Sequence, residues 1–493
     1  MRFFLMARVL ALVSFVVSLC MALPLAVAWL DGSSDVRAFA AAMSAGLCFS
    51  CSVYFICGGR IPPHARLSHE YDGLGAREAF AIVGGSWVAA SVTGALPFLL
   101  SGALGGFTDS FFESVSGFST TGATVFSNVE TLPRSILLWR VLTHWLGGIG
   151  IVVLSLAVLP FIGVGGLELY KIETTGPKPE KIAPRMRQTA VFLLEVYVSL
   201  TVAETLLLTL GGMSVFDALT HSMSTVATGG YSNKNASIAA YHSPFIEWVI
   251  AAFMFMAGVN FSLHFMLLTG AWRKVSRDEE LRLYVGVTAV AIIVFTVILS
   301  LHGHDAWDAL RAAAFQVTSF MTTTGFVSTD YAQWPQFNQC MLLFLALAGG
   351  CAGSTAGGLK MMRLLVLRRG IGVEVKNMFH PRAILRARVN GKVLSERAMT
   401  GVLAFFTLYV AVLIGAFLLV IAVGWEKLDI PTAFFGVLSS LSNLGPGLGN
   451  LGATDNYDWL PGVVKWVLAF CMLAGRLELY SMFFLLHPAT WRK

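Results

Sequence analysis

The chain has 493 residues, of which 56% are hydrophobic and only 13% charged. Soluble domains carry roughly 25% charged residues, so this composition excludes an ordinary soluble protein and points to one that spans a membrane. The net charge of +6 is no nucleic-acid signal, because the basic residues cluster in loops between apolar segments, as the positive-inside rule describes.

The first apolar segment runs over about 3–30. Arg2 and Ala26-Val27-Ala28 imitate a cleaved leader, but the stretch far exceeds the ~7–15 residues of a leader core, so it reads as a retained span. A turn at Asp31-Gly32-Ser33-Ser34-Asp35 leads to a second span near 37–58. Cys48 and Cys51 form a CxxC there; on an apolar helix they read as packed thiols rather than redox chemistry. A basic connector with Arg60, His64, Arg66 and Arg77 follows.

From there one unit occurs four times: a span, a short amphipathic helix, a glycine turn and a second span. The outer spans fall near 79–101 and 136–160, 188–211 and 244–270, 280–302 and 338–369, 398–424 and 460–487. The short helices fall near 108–120, 214–226, 306–322 and 430–442. A crossing helix needs about 20 residues, so these short ones suit re-entrant segments buried in protein. The division that follows is an N-terminal pair at 1–70 and four repeats at 71–185, 186–277, 278–390 and 391–493. The expected fold is an all-α integral membrane protein of ten transmembrane helices and four re-entrant loops in fourfold pseudo-symmetry.

Charge orients it. The connector at 161–190 carries Lys171, Lys178, Lys181, Arg185 and Arg187, that at 271–282 carries Arg273, Lys274, Arg277 and Arg282, and the longest runs from Lys360 and Arg363 through Arg397. All three fall on one side, read as cytoplasmic together with both termini; the glycine turns fall on the other. The outer side shows Asp31, Asp35, Asp305, Asp308, Asp330, Asp429, Asp455 and Asp458. Some of these should cap the short helices, and the rest raise the local cation concentration.

The turns carry the chemistry. They are Ser119-Thr120-Thr121-Gly122-Ala123-Thr124, Val226-Ala227-Thr228-Gly229-Gly230-Tyr231, Thr323-Thr324-Gly325-Phe326-Val327 and Ser442-Asn443-Leu444-Gly445-Pro446-Gly447. A cation that sheds water must regain oxygen ligands, and extended backbone supplies carbonyls where glycine permits the dihedrals. Threonine adds hydroxyls and a stiff side chain, and a short helix aimed at the turn adds partial negative charge. The ion-binding set is therefore Thr120, Thr121 and Gly122; Ala227, Thr228 and Gly229; Thr323, Thr324 and Gly325; Asn443, Leu444 and Gly445. Each turn alone is a loop; four at matching places make a filter.

These turns, with Glu113-Ser114-Val115-Ser116-Gly117-Phe118 leading into the first, resemble those of the Trk/Ktr/HKT superfamily of potassium transporters. His144-Trp145-Leu146-Gly147-Gly148-Ile149-Gly150, the run from Gly349 to Lys360, and Gly475-Arg476-Leu477-Glu478-Leu479 are similar to the bacterial Trk membrane subunit (TrkH/TrkG-like), over nearly the whole chain. In that family a serine at the first-turn glycine marks sodium-preferring plant members, so Gly122 implies potassium; the fourth turn departs with Asn443-Leu444, as fourth turns there do. The resemblance further implies an inner-membrane potassium uptake subunit, a homodimer, and a cytosolic nucleotide-binding regulatory subunit with RCK domains.

The segment 349–360 interrupts an apolar helix with Gly349, Gly350, Gly353, Gly357 and Gly358. No Gly-Lys-Ser/Thr follows, so it is not a nucleotide loop. A helix broken at membrane depth lines water or is buried in protein, and the resemblance implies a gating loop, with Gly350, Gly353, Ser354, Thr355, Gly357, Gly358 and Lys360 as its working residues and Arg476 as its latch. The alternative for Arg476 is a structural pair with a carboxylate such as Glu478. Lys465 is expected to snorkel outward. His144, His221 and His264 show no metal-ligand spacing, and Glu113 and Asp217 on short helices suit backbone hydrogen bonding. No cofactor is expected, only potassium as cargo. A symporter driven by protons or sodium stays open as an alternative; an enzyme does not, because HExxH, GxSxG and paired catalytic acids are missing.

Overall fold

The computed structural model describes residues 3–58, 76–162, 182–383, 385–424 and 428–491, with the backbone alone at 58, 76–77, 153–162, 182–187 and 489. The connectors at 59–75 and 163–181, with Arg60, His64, Arg66, Lys171, Lys178 and Lys181, lie outside the described residues, as do the side chains of Arg77, Arg185 and Arg187.

The fold is all-α and multi-span. Helices α1 (Phe3–Cys20) and α2 (Ala22–Leu30) form one near-continuous rod, followed by α3 (Asp35–Gly58) and α4 (Ala76–Leu100). The short α5 (Phe107–Phe118) then leads to α6 (Arg134–Ile162). Next come α7 (Ile182–Leu210), the short α8 (Val215–Val226), α9 (Pro244–Ala257), α10 (Phe261–Leu268) and α11 (Trp272–Val275). They are followed by α12 (Glu279–Leu301), the short α13 (Ala306–Met321), α14 (Gln336–Ala348) and α15 (Met361–Phe379). The chain closes with α16 (Glu396–Gly424), the short α17 (Ile430–Ser442), α18 (Gly462–Arg476), α19 (Tyr480–Leu486) and α20 (Pro488–Trp491). One β-hairpin, β1 (Arg388–Val389) with β2 (Lys392–Val393), turns through Asn390 and Gly391 in left-handed backbone, the Asn-Gly signature of a two-residue hairpin.

Among the described residues, seven helices are long and apolar enough to cross a membrane, or eight if the bent pair α9–α10 is one span. Their exposed faces are apolar, with Leu210 and Leu301 open to the surroundings, as lipid contact requires. The interior helix is α6, with 78% of its apolar window buried. The acidic caps appear as expected. Asp305 accepts from the N–H groups of Trp307 and Asp308, and Asp429 from that of Thr432, so each neutralises orphan donors at the start of a short helix.

Two expected spans are broken. Over 244–270, α9 and α10 meet at 100°. The bonds lost at the bend are replaced by partners from the segment 349–360: the Gly258 carbonyl accepts from Cys351 N–H and the Gly353 carbonyl from Phe261 N–H. Over 460–487, Glu478 and Leu479 take φ of 56° and 58°, and two successive left-handed residues cannot continue a right-handed helix. Lys465 also departs from expectation. It is 4% exposed, and its ammonium bonds Asp109 at 2.6 Å and the Asp458 carbonyl at 2.8 Å rather than reaching water.

Candidate ion pathway

The four short helices end in one motif. One residue at each end is left-handed: Thr120 (φ 52°), Thr228 (52°) and Thr323 (54°) just past the cap, and Asn443 (56°) directly after the helix. Its N–H bonds the carbonyl three residues back, and the next N–H reaches the carbonyls of Ser116, Ser224, Ser319 and Ser439 respectively. This is the Schellman arrangement, in which glycine or asparagine normally supplies the left-handed residue. Asn443 obeys that preference. Three buried β-branched threonines defy it, and such strain persists only where the surroundings hold it.

Two residues on, a glycine is left-handed in every turn: Gly122, Gly230, Gly325 and Gly445. A side chain on Gly122 would strike the carbonyl of Gly229; on Gly230, that of Thr324; on Gly325, that of Leu444; on Gly445, that of Thr121. Each turn thus leans on the next and the fourth returns to the first. The four turns form a closed ring. One correction follows: the structural counterpart of Gly122 in the second turn is Gly230, so Ala227, Thr228 and Gly229 stand one position early against the other triplets. Gly229 is glycine for another reason, since a side chain there would enter the His144 ring. Two adjacent glycines in one turn hid the register.

Buried backbone carbonyls are almost always hydrogen-bonded. Among the described residues no N–H or hydroxyl donates to the carbonyls of Thr120, Thr121, Thr228, Gly229, Thr323, Thr324, Asn443 or Leu444. Carbonyls farther along are occupied: Ala123 accepts from Tyr231, Gly445 from Tyr457 and Gly447 from Tyr331. On that side a pocket is lined by all four left-handed glycines with Thr124 and Asp455.

The segment 349–360 joins α14 to α15 against the other side of the ring. Thr355 is its centre. Its hydroxyl donates to the Val226 carbonyl at 3.0 Å, and its carbonyl accepts from Thr228 at 2.8 Å and from Arg476 at 2.6 Å. Gly357 N–H donates to the Thr323 hydroxyl at 2.7 Å, and Gly358 N–H to the Ser442 carbonyl at 3.0 Å. Gly350 packs on the Gly258 carbonyl and accepts from Met361 N–H, while Ser354 donates to the Cys351 carbonyl. Gly353 binds the bend between α9 and α10. Strained Thr228 and Thr323 are therefore held by this segment.

Charge surrounds it. Arg476 is 3% exposed, and Glu478 is not its partner. The break at Glu478 swings that carboxylate to Lys360 at 3.3 Å and to Arg363. From α12, Glu280 accepts the N–H of Ala352 at 2.6 Å. Glu280 and the bend at 258–260 escaped the sequence reading, although Gly258 and Asn260 are helix breakers in an apolar run and were the available signal. The three histidines pack through hydrogen bonds: His144 with Ser224, His221 with Ser232 and the Asp217 carbonyl, His264 with the Met256 carbonyl. Among the described residues no group of three or more His, Cys, Asp or Glu could hold a metal ion.

Residues 47–490 match the family described as TrkH, cation transport protein. The chain is 40% identical to the Trk system potassium uptake protein TrkH of Salmonella typhimurium, over 100% of both chains. It is 42% identical to the TrkH protein of Escherichia coli K12, over 86% of this chain and 88% of that one. The crystal structure of the potassium transporter TrkH from Vibrio parahaemolyticus superposes with a TM-score of 0.89 at 34% identity, covering 100% of each chain.

Proposed function

Since the chain belongs to the TrkH family of cation transport proteins, we propose that its ring of turns is the selectivity filter of an inner-membrane potassium pathway and that the segment 349–360 is its gate. Potassium transport across the inner membrane, and not catalysis, is the activity of the family. The finer reading rests on one observation above all: eight buried carbonyls with no protein donor among the described residues sit in a closed ring of four turns. Potassium replaces its hydration shell with such oxygens. Ions enter from the pocket lined by Thr124 and Asp455, pass the carbonyls of 120–121, 228–229, 323–324 and 443–444, and meet the gate at Thr355.

Two features support closure by the gate. Arg476 places a buried positive charge beside Thr355, and the segment is bonded to three of the four turns, through Thr228, Thr323 and Ser442. In this reading the fold has ten spans, four re-entrant loops and four repeats with the boundaries set out above. It works as a homodimer under a cytosolic nucleotide-binding subunit, for which the basic face of α15 offers a docking surface. The test is potassium flux through the reconstituted chain. A current that reverses at the potassium equilibrium potential at every pH supports the pathway. A reversal potential that moves with the proton or sodium gradient replaces it with coupled symport.

A further inference from the structure

The first two turns share a buried ion pair that the carbonyl ring does not require. Arg140 of α6 is 1% exposed and Glu113 of α5 is 0% exposed. The Arg140 Nε donates to Glu113 at 2.8 Å, Nη2 to the Thr124 hydroxyl at 3.1 Å and Nη1 to the Ser232 carbonyl at 3.4 Å. Glu113 also accepts from the Val125 N–H at 2.9 Å and from the Thr124 hydroxyl. The guanidinium lies 4.1 Å from the ring centre of Tyr231, which also stacks on His144 at 4.0 Å. Thr124 ends the first turn and Ser232 follows the second. One side chain therefore ties the two strands that leave the Gly122–Gly229 contact. Tyr231 adds a hydroxyl bond to the Ala123 carbonyl at the same junction, whereas the other junctions, among the described residues, are tied by neutral groups: the Ser237 hydroxyl and Ala239 N–H to Val327, the Tyr331 hydroxyl to Gly447, and the Asn443 amide to Thr121.

A buried ion pair is weak evidence of stability, since desolvation offsets most of its attraction; its attested use is to specify one geometry. Arginine suits that use because its planar fork fixes several acceptors at once, which a lysine cannot. Arg140 also lines the pocket at the mouth of the ring, so its charge faces arriving cations and Glu113 cancels it. We propose that Arg140, held by Glu113, is a positioning residue that sets ion selectivity by fixing the spacing between the first and second turns. The inference rests on the filter reading.

The test uses the full chain in proteoliposomes and reads the potassium-to-sodium permeability ratio and the half-saturating potassium concentration. Arg140→Lys keeps the charge and loses the fork; the ratio should fall several-fold with half-saturation little changed. Glu113→Gln leaves an uncancelled cation at the mouth and should raise the half-saturating concentration. The double variant Glu113→Gln/Arg140→Gln should restore half-saturation and leave the ratio low. Thr124→Val, which removes one bridge and keeps both charges, carries the same test if Arg140→Lys does not fold. Gly230→Ser in the same assay separates the two readings. If it shifts the ratio while Arg140→Lys and Thr124→Val lower only total flux, the inference is overturned and the filter stands; if none of them shifts it, the filter reading falls too.

Discussion

The guanidinium of Arg476 donates to the carbonyl of Thr355 at 2.6 Å, while its Nε and Nη2 find no partner among the described residues. A cation left so poorly paired at membrane depth costs at least ~2.5–3.5 kcal/mol, and such residues mark ion routes. Arg476→Gln removes a charge-assisted bond worth about 1.5–3 kcal/mol and the repulsion of an arriving cation. Basal potassium flux without any cytosolic partner should rise roughly tenfold or more, since each ~1.4 kcal/mol is a factor of ten. Unchanged basal flux would remove Arg476 from the gate.

A second prediction concerns Gly357. A Cβ there would run into the Ser442 carbonyl, and backbone cannot yield as a flexible side chain can. Gly357→Ala should push the segment off the ring and raise basal flux. Gly372→Ala, in the exposed part of α15 with nothing within 4 Å, should leave it as it was. Equal flux in the two variants contradicts docking of the segment at that point.

The two glycines of the second turn should behave differently. Gly230→Ser and Gly122→Ser press on ring carbonyls and should lower the potassium-to-sodium ratio several-fold. Gly229→Ala meets the His144 ring instead, so folded yield should drop first and recover on adding His144→Ala. Permeability ratios that stay put in both serine variants would take selectivity away from the ring.

Glu204 on α7 yields a stability prediction. It is 0% exposed, and neither carboxyl oxygen has a hydrogen-bond partner among the described residues; the Thr225 hydroxyl donates instead to the His221 carbonyl at 2.8 Å. An unsatisfied buried polar group costs about 1–3 kcal/mol. Glu204→Leu should raise the thermal midpoint of the protein in detergent accordingly. A lower midpoint would mean that the carboxyl makes a stabilising contact.

The sequence was most legible where the determinants are local. The short helices around 108–120 and 430–442 announce themselves by length, amphipathic spacing and an acidic cap such as Asp429, and their bounds fall within one or two residues of Phe107–Phe118 and Ile430–Ser442. Three of the four turn glycines were placed in register for the same reason. In the second turn the sequence points to Gly229 and the structure to Gly230, because only φ, 80° at Gly230, tells two adjacent glycines apart. The breaks at 258–260 and 477–479 are silent in the hydropathy because both sides of each are apolar enough to continue; the first is completed by bonds from the segment 349–360, and the second by the positive φ of Glu478 and Leu479.

By itself, the sequence determined the multi-span membrane class and the four glycine turns rich in hydroxyl and carbonyl oxygen, because hydropathy and glycine act through neighbouring residues. Tertiary structure alone decided which carbonyl each glycine faces, that Glu478 pairs with Lys360 and Arg363 instead of Arg476, and that Thr355 bridges Val226, Thr228 and Arg476. Those contacts join residues about a hundred or more positions apart. Their partners are chosen by how the four turns close into one ring, a geometric condition that no local stretch of chain encodes.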